Sequence, residues 1–123
     1  MKILAVADIH GSQYRLNVVL DNIKKYSPDL VIICGDITQF GPGDVATNYL
    51  NQIPVETFAI PGNIDTSEVG PAISESNAEN IARNSKCFNR DLIEKICCHI
   101  SWSKLSDIAT NNYKIWRIFF NII

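Results

Sequence analysis

Residues 2–10 read KILAVADIH, a short apolar run that ends in a polar cluster. Two later stretches repeat the pattern, LVIICGD at 30–36 and VETFAIPGNID at 55–65. Runs this short, rich in β-branched residues and bounded by Gly, Pro, Asp or Asn, are typical of buried strands. The sequence therefore predicts strands over residues 2–7, 30–34 and 55–60.

The segments between these runs show helical periodicity. Apolar residues recur at helical spacing between Ser12, a predicted N-cap, and Pro28, which is expected to end the helix. Asp44 is predicted to cap a second, shorter helix that reaches Leu50. Strands that alternate with helices favour an α/β fold, and they predict a parallel βαβαβ unit with right-handed crossovers over residues 1–65.

The composition is that of one globular domain. The 123 residues are 46% hydrophobic and 20% charged, and the formal net charge of −2, without a basic run, argues against a nucleic-acid surface. The first apolar run lacks a cleavage-like site, and the run at 115–123 is shorter than the ~20 residues that span a bilayer, so no membrane association is expected. Four cysteines without a CxxC pair favour a reduced, cytoplasmic protein.

Polar side chains follow each of the three predicted strands. Asp8 and His10 follow the first, Asp36 follows the second, and Asn63 and Asp65 follow the third. Because ligands collect outside the carboxyl ends of strands in an open parallel sheet, we expect these groups to converge. Carboxylate, imidazole and amide groups suit a divalent cation. The ordinary alternative for such aspartates is turn formation or helix capping.

Together, DIH at 8–10, GDIT at 35–38 and GNID at 62–65 resemble the motifs of the calcineurin-like metallophosphoesterases, D-x-H, G-D and G-N-H-[DE], which later histidines ending in G-H-x-H complete. The resemblance covers residues 1–79, with one βα unit between successive motifs. It implies the βαβαβ half of a metallophosphoesterase-like α/β sandwich, with the second sheet missing or incomplete. It also implies hydrolysis of phosphodiesters or phosphomonoesters by a metal-activated hydroxide.

The resemblance further implies a set of metal ligands. The family holds two divalent cations, which are Mn, Fe, Zn or Ni. By motif position, the implied ligands of the first are Asp8, His10 and Asp36, and those of the second are Asp36, as a bridging carboxylate, and Asn63.

The third motif departs from the family pattern. Ile64 stands where the family often has a histidine, and Asp65 would normally orient that histidine. Here Asp65 is expected either to position water or a phosphate-bound metal, a weak catalytic role, or to cap the turn at 66–67. Without the histidine, an easily displaced leaving group such as an aryl alcohol would be tolerated best.

Residues 80–123 show a different pattern. No Gly or Pro occurs after Pro71, and no G-H-x-H motif follows. Helical spacing predicts an amphipathic helix over 85–100, in which His99 is expected to be a partly buried residue and not a ligand. Residues 113–123 fit either a strand or a hydrophobic helix. We expect a mainly helical tail without resemblance to the family, such as a frame change would give.

Three functions are open at this stage. The first is a metallophosphoesterase, truncated and impaired in this chain, that acts on a phosphate-ester substrate. The second is a non-catalytic remnant that serves as a metal-binding or protein-interaction module. The apolar surface left by a missing second sheet would favour its self-association. A flavodoxin-like or nucleotide-binding module is less supported, because no glycine-rich phosphate loop follows the first run.

Overall fold

A computed structural model describes residues 1–81 and the backbone of residues 114–119. In this part of the chain, three helices accompany one five-stranded sheet, with strands in the order β4-β3-β2-β1-β5. Strands β1 to β4 are parallel, and β5 is antiparallel to β1. The elements are β1 (Lys2–Ala7), α1 (Gln13–Tyr26), β2 (Leu30–Cys34), α2 (Gly43–Leu50), β3 (Thr57–Ile60), α3 (Val69–Glu75), β4 (Glu79–Asn80) and β5 (Lys114–Phe119).

The predicted parallel βαβαβ unit is confirmed. Strands β1 and β2 have the predicted bounds, and Ser12 caps α1 by accepting a hydrogen bond from the Arg15 N–H at 3.4 Å. Strand β3 begins at Thr57, two residues later than predicted. The carbonyl of Glu56 already accepts a hydrogen bond from the Val31 N–H at 2.9 Å, so pairing with β2 starts just before the strand.

The predicted capping role of Asp44 is wrong. Helix α2 begins one residue earlier, at Gly43, and Pro42 occupies the N-cap position without a side-chain hydrogen bond. Instead, Glu68 reaches from a distant loop and accepts a hydrogen bond from the Gly43 N–H at 3.1 Å. Asp44 lies in the first turn, where its charge still complements the helix dipole.

Helix α3 and the strands β4 and β5 lie beyond the predicted unit. Helix α3 contains Gly70-Pro71, a pair that in sequence indicates a turn. Strand β4 extends the sheet, and the buried Ile81 continues it by donating its N–H to the Ala59 carbonyl at 3.2 Å. The proposed division between residues 79 and 80, which stays a prediction, falls within β4.

The tail is partly described. The expectation of a helical tail is wrong for Lys114–Phe119, which form β5 along the outer edge of β1. Of the two alternatives left open for residues 113–123, the strand is therefore the one observed. The helix predicted over 85–100, with His99, lies outside the described residues. Within those residues, no helix combines the length and apolar content that a bilayer crossing requires.

The two faces of the sheet are buried in different ways. One core cluster joins Leu4, Val6 and Ile33 to apolar residues of all three helices, as expected when right-handed crossovers advance the sheet in one direction. The opposite face, which includes Ala5 and Ile32, is also buried, and Ile81 is the described residue that packs there from outside the strands. The described chain thus has the predicted α/β architecture, and it shows no second sheet.

Candidate metal centre

Three loops meet at the carboxyl ends of β1, β2 and β3. The first two are joined by the His10 N–H, which donates to the Asp36 carbonyl at 2.8 Å. The second and third are joined by the Phe40 N–H, which donates to the Ile64 carbonyl at 3.2 Å. These contacts bring all three sequence motifs to one edge of the sheet.

Asp8, His10 and Asp36 converge at this edge. Each is partly buried, and one ligand atom from each lies within 4.8 Å of the others. Ligands about 2.1 Å from a tetrahedral ion lie about 3.4 Å apart, so the three atoms must draw closer to hold one cation. The arrangement therefore fits a single divalent ion after the loops close around it.

The same three residues have left-handed backbone conformations. Their φ angles are 63° at Asp8, 53° at His10 and 54° at Asp36, and they are three of the five non-glycine residues with positive φ in the described chain. The left-handed conformation raises the free energy of the folded state by on the order of 1–2 kcal/mol for each such residue. It persists only where the surrounding structure enforces it. Glycine would remove the strain but also the ligand, so the strain points to a function for these side chains.

Two glycines allow the second and third motifs to touch. Gly35 has a φ of +86°, and a Cβ added there would lie 2.7 Å from the Cα of Gly62. A Cβ added at Gly62 would overlap both the carboxylate and the backbone nitrogen of Asp36. The glycines of the GDIT and GNID motifs are therefore required by the close approach of two loops.

Asn63 lies on the solvent side of this contact. Its neighbour Gly62 touches Asp36, and the N–H of its other neighbour, Ile64, donates to Asp36 Oδ1 at 3.3 Å. The side chain of Asn63 is exposed. The structure thus brings Asp8, His10 and Asp36 together and leaves Asn63 beside them at the surface. The ligand roles of all four stay predictions.

The imidazole of His10 lacks the hydrogen bonds that a buried group requires. Its Nδ1 is buried and has no hydrogen-bond partner in the described chain. Its Nε2 lies 3.8 Å from Asp8 Oδ1, which is too long for a hydrogen bond. Leaving a buried polar atom unsatisfied costs about 1–3 kcal/mol. An imidazole beside two carboxylates is a suitable donor set for Mn, Fe, Zn or Ni, so the residues present fit the cation that the motifs imply.

Asp65 is surrounded by hydrogen-bond donors. Its Oδ1 accepts from the N–H and the hydroxyl of Thr38 at 2.7 and 2.9 Å, and its Oδ2 accepts from Gly62 N–H at 2.8 Å and Ile37 N–H at 3.1 Å. These donors belong to the loops after β2 and β3 and not to the turn at 66–67. The predicted catalytic role of Asp65 stays a prediction, but the carboxylate clearly joins two of the three loops.

Arg15 is a site residue that the sequence analysis missed. Its Nη1 donates to the carbonyl of Asp8 at 2.9 Å. It lies in the first turn of α1, which has no acidic residue and where the helix dipole disfavours a cation. A basic residue in that turn, five residues after the histidine of the D-x-H motif, was the available signal.

The chain is similar to known proteins. A family model described as calcineurin-like phosphoesterase matches residues 1–120. The uncharacterized protein MJ1162 of Methanocaldococcus jannaschii is 37% identical over 71 residues, which are 56% of this chain and 31% of that protein. Among solved structures, Yfce, a phosphoesterase from E. coli, is 26% identical with a TM-score of 0.44, over 55% of this chain and 42% of that one. This chain spans less than half the length of either relative.

Proposed function

Because the chain belongs to the calcineurin-like phosphoesterase family, we propose that it hydrolyses phosphodiesters or phosphomonoesters with the help of divalent cations. The observation that carries this proposal is the convergence of Asp8, His10 and Asp36, whose ligand atoms lie within 4.8 Å of one another. When bound, the cations supply Lewis acidity, which polarises the phosphate ester and makes the attacking water more acidic.

The proposed ligands divide the work by charge and position. Asp8 and His10, on the loop after β1, hold the first cation together with Asp36. Asp36 also faces the loop after β3, since it accepts the Ile64 N–H at 3.3 Å, and it is therefore the carboxylate suited to lie between two cations. An anion is needed there because two close dications repel strongly. Asn63 offers a neutral oxygen to the second cation from the solvent side.

The third motif sets the kind of leaving group. The side chain of Ile64 has no proton to donate, and its N–H and carbonyl are already paired with Asp36 and Phe40. The carboxylate of Asp65 already accepts four hydrogen bonds, so neither of its oxygens is free to contact the leaving group. A leaving group that departs without protonation by this loop, such as an aryl alcohol, is therefore the proposed preference.

A second function, cation binding without turnover, is favoured by the number of converging groups. In the described chain, a single group of His, Cys, Asp and Glu side chains is placed to hold an ion, and all three members belong to the first cation. A second cation held by Asp36 and Asn63 alone would be poorly fixed, and a misplacement of about 1 Å can reduce the rate on the order of 100-fold.

The proposed setting is the reduced cytoplasm, because the four cysteines lack a CxxC pair. Self-association through exposed apolar surface belongs to the second function.

The test uses the purified chain with excess Mn²⁺ and two substrates, bis(p-nitrophenyl) phosphate and p-nitrophenyl phosphate, with release of p-nitrophenolate as the readout. Asp36→Asn removes the bridging charge. Asp21→Asn is the matched control, because Asp21 is exposed and its contact with Lys24, at 3.7 Å, lies away from the three loops. Mn²⁺-dependent turnover that is lost only in Asp36→Asn supports the phosphoesterase. Mn²⁺ binding without turnover supports the second function, and failure to bind Mn²⁺ overturns both.

A further inference from the structure

We infer that Asp65 is a positioning residue, whose carboxylate clamps the loop that carries Asp36 against the loop that carries Asn63 and thereby sets the affinity of the metal site. The inference rests on the proposed function, because it concerns the same cations. It differs from the weak catalytic role predicted from the sequence, since Asp65 would act through Asp36 and not on the substrate.

The clamp is built from consecutive backbone donors. The N–H groups of Ile37 and Thr38 directly follow Asp36, and both donate to the Asp65 carboxylate, at 3.1 and 2.7 Å. Successive N–H groups next to a residue of positive φ form a concave nest that binds anions. Here φ is 54° at Asp36. The positive φ of Asp36 therefore forms the nest, and the Asp65 carboxylate bound in the nest stabilises that backbone conformation.

The third loop is fixed by the same carboxylate. Its Oδ2 accepts the Gly62 N–H at 2.8 Å, and Gly62 is the residue that touches Asp36. Asp65 thus holds both sides of the glycine contact at once. Any loosening of the clamp would separate Asp36 from the segment that carries Asn63.

Water cannot easily replace this anion. Thr38 is fully buried, with 0% of its surface exposed, and both its N–H and its hydroxyl point to Asp65 Oδ1. A buried donor that loses its acceptor pays the cost of desolvation without compensation. The loop would have to change conformation to find new partners, and Asp36 would move with it.

The same contacts argue against a direct catalytic role. A carboxylate has about four lone-pair sites. The four donors fill them, two on each oxygen. No site is then left for a cation, for a water to be deprotonated or for a substrate proton.

The substitution Asp65→Asn tests the clamp with minimal change of shape. Either orientation of the amide places its NH₂ group against at least one backbone N–H, so at least one donor loses its acceptor. Loss of an outer-shell partner typically weakens metal affinity by about 10–100-fold, and we expect Asp65→Asn to weaken Mn²⁺ binding within this range. Asp21→Asn, which removes the same charge from an exposed position, should leave the affinity unchanged.

The affinity is measured on the full chain from the EPR signal of free Mn²⁺, and the thermal unfolding midpoint of the metal-free protein is recorded in parallel. A merely structural role for Asp65 would lower the midpoint but leave the affinity of the folded protein unchanged. If Asp65→Asn does not fold, Thr38→Val and Thr38→Ser replace it, because they differ in the hydroxyl that donates to Asp65 at 2.9 Å.

Each outcome decides one question. Weaker Mn²⁺ binding in Asp65→Asn than in Asp21→Asn, or in Thr38→Val than in Thr38→Ser, supports the clamp. Equal affinities within the pair that is measured overturn it while leaving the proposed metal site intact. Absence of Mn²⁺ binding in the unsubstituted chain overturns the proposed function itself, and the clamp with it.

Discussion

The loop after β1 and the loop after β2 each place a left-handed aspartate at the candidate metal centre, but they are held by different kinds of contact. The loop after β1 is held by the hydrogen bond from Arg15 to the Asp8 carbonyl and by two backbone bonds, in which the N–H groups of His10 and Gly11 donate to the loop of Asp36 at 2.8 and 2.9 Å. The Tyr49 hydroxyl also donates to the Gly11 carbonyl, at 2.6 Å. The loop of Asp36 donates three hydrogen bonds to the Asp65 carboxylate, and Gly62 packs against Asp36.

This difference indicates which side of the site adjusts to a cation. The three ligand atoms must draw closer to share one ion, because ligands about 2.1 Å from a tetrahedral ion lie about 3.4 Å apart. Movement of Asp36 would break bonds to the charged Asp65 carboxylate, which are stronger than bonds between neutral groups, whereas most of the bonds that hold the loop of Asp8 and His10 join neutral groups. We therefore expect a rigid half, formed by the loops after β2 and β3, against which the loop after β1 closes.

The largest effect is expected for Asp36→Asn. A bridging carboxylate serves both cations and supplies charge, so its loss should weaken Mn²⁺ binding by more than the roughly 100-fold upper range for an outer-shell partner. Asn63→Ala removes a neutral ligand of one cation and should cost less. Titration of both variants with Mn²⁺ gives the comparison. A larger loss for Asn63→Ala would show that Asp36 is not the bridge.

Gly62→Ala should be the next most damaging change. The added Cβ would overlap the backbone nitrogen of Asp36, which cannot move without breaking the clamp, and overpacking of this kind typically costs about 1–3 kcal/mol. The matched control is Gly70→Ala in α3, where the new Cβ would meet nothing closer than Asn80 Nδ2 at 4.0 Å. Alanine there should be neutral or stabilising by up to about 1 kcal/mol. Urea unfolding of both variants measures the contrast, and equal stabilities would contradict the rigid half.

Much of this site was predictable because parallel strands bring their carboxyl ends to one edge. Asp8, His10 and Asp36 could be placed from the apolar runs before them, without any knowledge of the loops. The hydrogen-bond partners of Asp65 could not be predicted, because they depend on the positive φ of Asp36, which directs the N–H groups of Ile37 and Thr38 toward Asp65. Arg15 was missed because helical spacing says nothing about a side chain that folds back onto the preceding loop.

The wrong predictions have similar causes. Asp44 was a reasonable cap by residue type, but Glu68, distant in sequence, reaches the free N–H group of Gly43 instead. Helix α3 was missed because Gly70-Pro71 indicates a turn, although proline is tolerated in the first turn of a helix. For Lys114–Phe119, a short apolar run fits a strand or a helix equally well, and pairing with β1 decides.

Arg15→Gln sharpens the comparison from the adjustable side. Glutamine loses the charged donor to the Asp8 carbonyl, so we expect Mn²⁺ affinity to fall by about tenfold, at the lower end of the range for an outer-shell partner. Metal-free stability should change little or rise slightly, because the variant also removes a cation from the first turn of α1. Parallel Mn²⁺ titration and thermal unfolding separate the two effects. A loss as large as that of Asp65→Asn would mean that both halves are equally restrained.

Glu68→Ala should give the smallest effect and mark the limit of the rigid half. Glu68 caps α2 through the Gly43 N–H and lies three residues after Asp65 in the β3–α3 connection. Loss of a helix cap typically costs about 1 kcal/mol, which should appear as a lower unfolding free energy in urea. Mn²⁺ affinity should be unchanged, because the bonds from Asp65 to the loop of Asp36 are kept. If affinity falls together with stability, the whole segment from residue 62 to 68 acts as one restraint on Asp36, and the clamp extends further than the contacts of Asp65.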